Sequence, residues 1–457
     1  MESEINPKII KDLRRAVGSQ NVRTGAEDLY VHSYDATAVS HPPDLVVVPN
    51  TADELASVCE LLWADGVPLT PRGAGTGYSG GALPVRGGAV VVCDRLKNWT
   101  GPSNGTVTCE PGVIVDDLNR ELKPLSLFYP VDPASSEAST VGGHLAENAG
   151  GPAAFKYGVT RDNVRSMEVI NPARGREVVV EKPGELDLLS VLVGSEGTLA
   201  VTLRAELRVL ARPPARAAAL ATFDGAPAAG KAAYAVISSG LGPAKLEFIG
   251  ADCIKCILED DPDALPADAG AVLLLEFDGS PEEVQAVETE VEEVLAATDA
   301  RSISATADER ESDRLWHVRR GISAALARLA PHKLNEDVCV PPSRVPAFLE
   351  FVEEMSRRLG LSMPTFGHVG DGNLHVNFMY DKGDARQAVK VEEGARELAA
   401  EVLALGGTIS GEHGIGLSKL PFVDMELSRA EIETIRRVKA MFDPNDLLNP
   451  GKTPEPG

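Results

Sequence analysis

Apolar positions recur along this chain with the period of a helix in some stretches and of a strand in others. Ile9, Ile10, Leu13 and Val17 fall on one helical face, which predicts an amphipathic helix over 6–17 ended by Gly18. The run Asp44-Leu-Val-Val-Val predicts a buried strand. Thr51-Ala-Asp-Glu54 has the form of a capping box, and it opens a helix with Leu55, Val58, Cys59 and Leu62 inward, stopped by Gly66. Short strands and glycine loops continue to about residue 210. There Arg212-Pro-Pro-Ala-Arg ends the strand over 205–210 and reads as a linker.

Beyond the linker a short motif repeats. Phe223-Asp-Gly-Ala-Pro227 returns 54 residues later as Phe277-Asp-Gly-Ser-Pro281, each time closing an apolar strand and preceding an Ala-, Glu- or Lys-rich helix. Two strand–turn–helix units predict a duplicated α+β domain of ferredoxin-like type, with helices on one face of an antiparallel sheet. Further helices are expected at 284–297, 310–329, 346–359 and 385–405. Near the C-terminus the pattern carries chemistry. In Asn373-Leu-His-Val-Asn-Phe378 the side chains alternate, so Asn373, His375 and Asn377 share one face while Leu374, Val376 and Phe378 pack on the other. Asp371-Gly372 supplies a turn that can fold His368 back toward His375. With Glu412 these imidazoles make a three-ligand set that leaves positions open for a substrate, and His413 is the next residue along. Ordinary loop polarity is the competing reading, because His-x6-His is not a closed metal signature.

Composition narrows the class. A length of 457 residues implies two or three domains. With a net charge of −24, nucleic acid and anionic membrane surfaces are disfavoured partners. The start Met-Glu-Ser-Glu-Ile-Asn-Pro lacks a signal-peptide pattern and no apolar run reaches membrane-spanning length, so a cytoplasmic protein is expected. The six cysteines are expected as thiols, Cys253 and Cys256 as a pair on one face of a helix.

Glycine is concentrated in three loops. Arg72-Gly-Ala-Gly-Thr-Gly-Tyr-Ser-Gly-Gly81 contains Gly75-x-Gly77-x-x-Gly80, but Gly81, Pro84, Gly87 and Gly88 forbid the helix that a nicotinamide fingerprint needs. Successive backbone N–H groups can still cradle a phosphate, with Arg72 supplying charge. Asp132-Pro-Ala-Ser-Ser-Glu-Ala-Ser-Thr-Val-Gly-Gly143 leading to Asn148-Ala-Gly-Gly151, and Gly194-Ser-Glu-Gly-Thr198, imply close backbone approach to a dinucleotide. A purely structural set of turns is the alternative.

These motifs carry a resemblance. Through Arg-Gly-Ala-Gly-Thr-Gly, Asp-Pro-Ala-Ser, Thr-Val-Gly-Gly, Asn-Ala-Gly-Gly and Gly-Ser-Glu-Gly-Thr-Leu, residues 42–212 resemble the flavin-binding domain of the vanillyl-alcohol oxidase superfamily. Residues 213–452, with Gly-His-Val-Gly-Asp-Gly-Asn-Leu-His, Gly-Glu-His-Gly-Ile-Gly and Asn-Pro-Gly-Lys, resemble the FAD-linked D-2-hydroxyacid dehydrogenase family. The resemblance implies an α+β protein: an N-terminal helical segment (1–41), a two-part FAD-binding domain (42–212), a ferredoxin-like antiparallel-sheet cap with helices (213–425), and a C-terminal helix and tail returning to the FAD domain (426–457). It places FAD on Arg72, Gly73, Ala74, Gly75, Thr76, Gly77, Ser79, Asp132, Ser136, Thr140, Gly142, Gly143, Asn148, Glu196, Gly197, Val201 and Asn449. Thr76 stands where covalent flavinylators of the superfamily carry histidine, so the FAD is expected to be noncovalent. Ala200, where the group usually has glycine, is a minor departure.

The same resemblance makes His368, His375 and Glu412 ligands of a divalent ion, zinc first with manganese or iron as alternatives, and His413 the base. Arg319, Ser323 and Lys333 become substrate-carboxylate contacts, and Asn373, on the His375 face, is expected as a further substrate-binding residue. From the residues alone, a solvated surface side chain is the commoner outcome for Arg319. The expected reaction is oxidation of a D-2-hydroxy acid, D-lactate or glycolate, to the 2-oxo acid with hydride passing to flavin; D-2-hydroxyglutarate is an alternative. A separate electron acceptor is implied: a quinone, cytochrome, electron-transfer flavoprotein or iron–sulfur partner, which can hold the protein at a membrane surface. A homodimer, and a subunit active only within a complex, are compatible with the sequence. A flavin-free His/His/Glu hydrolase is the alternative of another class.

Overall fold

Residues 5–37, 39–182 and 187–455 are described by a computed structural model. They form two compact units. The first takes the described residues up to Gly150, then Gly158 to Arg212 and His413 onward; the second takes Gly151–Tyr157 and Pro213–Glu412.

Two larger sheets and a two-stranded pair, Leu127–Phe128 with Leu210–Ala211, build the described part of the first unit. One has the spatial order Val22–Arg23, Leu45–Val47, Ala89–Val92, Leu69–Arg72, with the last two both parallel neighbours in a run that includes Leu45–Val47. Its two middle strands, Leu45–Val47 and Ala89–Val92, are apolar throughout, as strands covered on both faces must be. Helices Pro7–Val17 and Ala52–Ala64 share its core, with Leu13, Leu55, Val58, Cys59 and Leu62 fully buried. Thr51 Oγ1 accepts from Glu54 N at 3.1 Å as a cap should, but Glu54 turns to Asn50, accepting from its N at 2.7 Å and its Nδ2 at 2.9 Å. Asn50 offers two donors where the box offers one. The other sheet is antiparallel, ordered Trp99–Ser103, Thr106–Cys109, Val201–Arg208, Val164–Asn171, Gly175–Val180. The helix Arg429–Phe442 buries Phe442 in the core of this sheet. Its buried Lys439 donates to the carbonyls of Thr198 and Leu448 at 2.9 and 2.6 Å, and Leu448 bridges to Leu69.

The second unit is one seven-stranded sheet, ordered Ser302–Thr306, Ala215–Phe223, Ala271–Gly279, Lys245–Gly250, Thr365–His368, Asn373–Tyr380, His332–Cys339, antiparallel at every pairing. The repeated motif closes the paired strands Ala215–Phe223 and Ala271–Gly279, and each leads into a helix, Ala226–Ser239 and Pro281–Ala296. Those helices, with Val345–Leu359 and Ala385–Ala404, cover one face in a single large core. Helices on one face only were expected. The structure adds Ala251–Asp260 and Glu309–Ala325 on the other face, around Cys253, Cys256, Leu315 and Trp316, because Leu220, Ile249, Val272 and Leu274 make that face apolar too where these helices lie. Both cysteines of the pair are buried free thiols.

Candidate active site

Beyond those two helices the second face turns polar, and strand alternation explains how. Leu246 and Phe248, Leu374, Val376 and Phe378, and Val338 all point into the large core. Their neighbours Glu247, Asn373, His375, Asn377 and Asp337 therefore stand on the opposite face. Register aligns them: Asp337 opposite His375, Cys339 opposite Asn373, and His368 opposite Asn373 across the hairpin. A one-residue slip would bury His375 and expose three core side chains worth about 1.5–3 kcal/mol each, so the pattern that fixes the strand also aims the histidine.

The hairpin brings His368 and His375 together with ring centroids 5.4 Å apart and planes at 88°. Glu412 Oε1 lies 3.2 Å from His368 Nε2 and 3.5 Å from His375 Nε2. One donor atom from each of His368, His375 and Glu412 lies within 4.8 Å of the others, a set that can hold a metal ion. Side chains behind these donors orient them. Glu247, fully buried, accepts from His368 Nδ1 at 2.5 Å, which leaves Nε2 as the outward nitrogen. Asp337, also fully buried, lies 3.5 Å from His375 Nδ1 and accepts from the backbone N–H of Gly411 and Glu412 at 2.9 and 2.8 Å, so it sets the loop that presents the Glu412 carboxylate. Asn373 Nδ2 donates to Asp337 at 2.6 Å, while its buried Oδ1 has no hydrogen-bond partner among the described residues. That unused acceptor fits a ligand in the pocket of donors.

Charge follows geometry. Burial alone would raise the Glu412 carboxyl, but His368, by charge and hydrogen bond, and the charge of His375 outweigh it and hold it at about 2. Burial would likewise lower His368; Glu247 and Glu412 on its two sides push it well above the usual histidine value instead. For Glu247 burial opposes and Arg319 and His368 prevail, keeping it below the ordinary carboxylate range.

Arg319 is no solvated arginine. Its side chain is 4% exposed, its Nε donates to Glu247 Oε2 at 2.6 Å, and it lies over the Phe366 ring at 4.8 Å. Its Nη2 is 2.5 Å from the same oxygen but not aligned as a hydrogen bond, so the guanidinium keeps donor capacity. Ser323, one turn along the same helix, has its Oγ 2.8 Å from Lys333 Nζ. Glu247 and Asp337 escaped the sequence reading. The available signals were a lone acid inside the apolar run Leu246-Glu-Phe-Ile249 and another in Asn335-Glu-Asp-Val338.

Within the first unit the three glycine loops meet. Glu196 N donates to Ala146 O at 2.7 Å and Gly194 N to Leu145 O at 2.8 Å, joining the third loop to the second. Ser79 Oγ donates to Glu147 Oε2 at 3.2 Å, joining the first. Asn449 Nδ2 donates to Gly81 O at 3.0 Å and Glu196 O at 2.8 Å, which brings the tail to the same place. Thr140 caps the helix Val141–Glu147, accepting from Gly143 N at 3.3 Å, while Asn148 ends it in the left-handed region at φ 53° and accepts from Arg161 N at 2.9 Å. Ser136 and Val201 are buried and Asp132 is half-buried. No helix lies between Gly80 and the strand Ala89–Val92. Arg72 donates to Tyr34 O at 2.8 Å, and its buried Nη1 has no hydrogen-bond partner among the described residues, which fits an anion that the loops would cradle. His413 also belongs to this unit, its ring stacked on Tyr78 at 5.1 Å and 25°.

Comparison with known proteins decides the family. Residues 212–453 match the family described as FAD linked oxidases, C-terminal domain, and residues 43–181 match FAD binding domain. The chain belongs to the FAD-linked oxidase family. It is similar to the glycolate oxidase subunit GlcD of Bacillus subtilis, 35% identical over 98% of this chain and 97% of that protein. It is also similar to the D-2-hydroxyglutarate dehydrogenase of Stutzerimonas stutzeri, at 31% over 98% and 99%, and to a probable mitochondrial D-lactate dehydrogenase of Danio rerio, at 30% over 98% and 92%. Among solved structures, p-cresol methylhydroxylase aligns with a TM-score of 0.82 at 14% identity, covering 99% of this chain and 98% of that one, which shows a shared fold. This member of the FAD-linked oxidases is therefore an oxidoreductase. Among its described residues no helix is long and apolar enough to cross a membrane.

Proposed function

We propose that this FAD-linked oxidoreductase oxidises a small D-2-hydroxy acid, glycolate or D-lactate, to the 2-oxo acid with the help of a divalent ion at His368, His375 and Glu412. The observation that carries the reading is the convergence of those three donors, each histidine backed by a buried carboxylate, in a chain whose relatives are named for oxidation of such acids. Bound FAD supplies the hydride acceptor, held by the loops around Gly73–Gly77, Thr140–Asn148, Glu196–Gly197 and Asn449. A bound ion supplies Lewis acidity that makes the substrate hydroxyl a better acid.

The chain's own groups do the rest. Arg319 binds the substrate carboxylate through the donor capacity that Glu247 leaves it, and Glu247 holds the guanidinium in place. Asn373 Oδ1 accepts from the substrate hydroxyl as it docks. His413 removes the hydroxyl proton, a step worth about 10²–10⁴-fold for a placed base. Lys333, held at Ser323, is the group that would meet a second carboxylate, and it favours D-2-hydroxyglutarate as the second reading.

A panel of D- and L-2-hydroxy acids, assayed with an artificial dye acceptor, tests this directly. Turnover of glycolate or of D-lactate, with D-2-hydroxyglutarate slower and L-lactate inactive, is expected. A flavin-loaded protein that reduces the dye with none of these acids would sink the reading.

A further inference from the structure

Glu196 is expected, on resemblance, in a loop that meets FAD, and its carboxylate has partners of its own within the protein. Its Oε1 accepts from Ile415 N at 2.7 Å and its Oε2 from Gly416 N at 2.6 Å. Two consecutive backbone N–H groups thus close on the carboxylate of the half-buried Glu196, two and three residues after His413. The loop is pinned from the other side as well: Leu417 N donates to Ser79 O at 2.6 Å and Ser418 Oγ to Tyr78 O at 3.3 Å. Gly416 has φ +46°, and a Cβ there would strike the Ser79 backbone carbonyl, so only glycine lets the loop lie this close. Tyr78, on the same glycine loop, carries the His413 ring on its face.

We propose that Glu196 and Tyr78 are positioning residues for His413, a carboxylate clamp behind it and an aromatic shelf beneath it; the inference rests on His413 being the base. The segment Gly411–Gly416 holds three glycines in six residues and cannot fix an imidazole by its own backbone preferences. A clamp on its N–H groups can. Charge-assisted bonds to backbone N–H are roughly twice as strong as neutral ones, which accounts for a carboxylate where an amide would otherwise be cheaper to bury. Burial raises the Glu196 carboxyl above its usual range, and the two N–H bonds and the charge of Lys452 oppose that rise without cancelling it. Glu196 itself sits in the left-handed region at φ 55°, an uncommon conformation that aims the side chain at the loop.

Glu196→Gln and Tyr78→Leu, with His413→Asn as reference, test it in the FAD- and metal-loaded enzyme. A carboxamide offers an acceptor to one N–H and a donor to the other, so half the clamp is lost at constant size. Glu196→Gln is expected to keep FAD and metal stoichiometry and leave KM within about twofold, while flavin reduction at saturating substrate slows about 10–100-fold, the usual result of a misplaced group near the reacting atoms. Tyr78→Leu, at a half-buried ring, is expected to slow it about 3–10-fold by the same reasoning and carries the test if the Gln variant does not fold. Wild-type reduction in the folded variants while His413→Asn is slow overturns the clamp and leaves the base standing. Wild-type reduction in all three removes the base assignment itself. Loss of FAD in proportion to activity makes Glu196 a flavin contact, and the inference fails.

Discussion

His368 is the residue on which the candidate site turns. Its Nδ1 faces Glu247 and its Nε2 faces Glu412, and the two carboxylates push the ring toward the form that holds a proton on each nitrogen. A metal needs the Nε2 lone pair. Binding must therefore expel the Nε2 proton while Glu247 keeps the one on Nδ1. The sign follows: because the metal-free His368 value is raised, metal affinity should climb as pH increases and stop climbing once pH passes that raised value. Calorimetry of zinc binding in two buffers of different ionisation enthalpy should show about one proton released near pH 7. Identical heats in both buffers would mean that His368 is neutral before the metal arrives, or is no ligand. Sequence displayed His368, His375 and Glu412 because they sit in short glycine-flanked motifs. It hid Glu247, 121 residues from His368 along the chain, because nothing local marks a partner supplied by sheet pairing.

At the scale of elements, the hairpin Thr365–His368 with Asn373–Tyr380 was legible because one face had to be apolar, and that requirement placed His375 without any knowledge of its partners. The loop carrying Glu412 was not, since its path depends on Asp337 in a distant strand accepting two of its N–H groups. Gly411 lies so close to Asn373 that a Cβ would strike the Asn373 amide. Gly411→Ala should thus push the loop off Asp337 and carry the Glu412 carboxylate away from the histidines, with FAD retained. Elemental analysis should find metal content reduced at least tenfold, the scale on which loss of an orienting partner weakens such sites. Full metal content in a folded Gly411→Ala protein would show that the loop yields without moving its carboxylate.

For the molecule as a whole, the linker prolines and the repeated Phe-Asp-Gly motif made a second, antiparallel unit predictable, whereas its second helical layer depended on which face-alternating residues happened to be apolar on both sides, a matter settled only by packing. The chain passes from the second unit to the first between Glu412 and His413. Consecutive residues thus serve different bodies, one the candidate metal set and the next the unit that carries the glycine loops. The proposed oxidation draws on both, and the account stands or falls on whether the ion is required. The direct measurement is the anaerobic rate of flavin reduction by D-lactate or glycolate in protein stripped of metal and then given one equivalent of zinc or manganese. Stripped protein should keep its FAD and reduce it at least about 100-fold more slowly, in line with the several kcal/mol a Lewis acid contributes, and should recover on adding metal. An unchanged rate in protein free of metal would contradict the central claim.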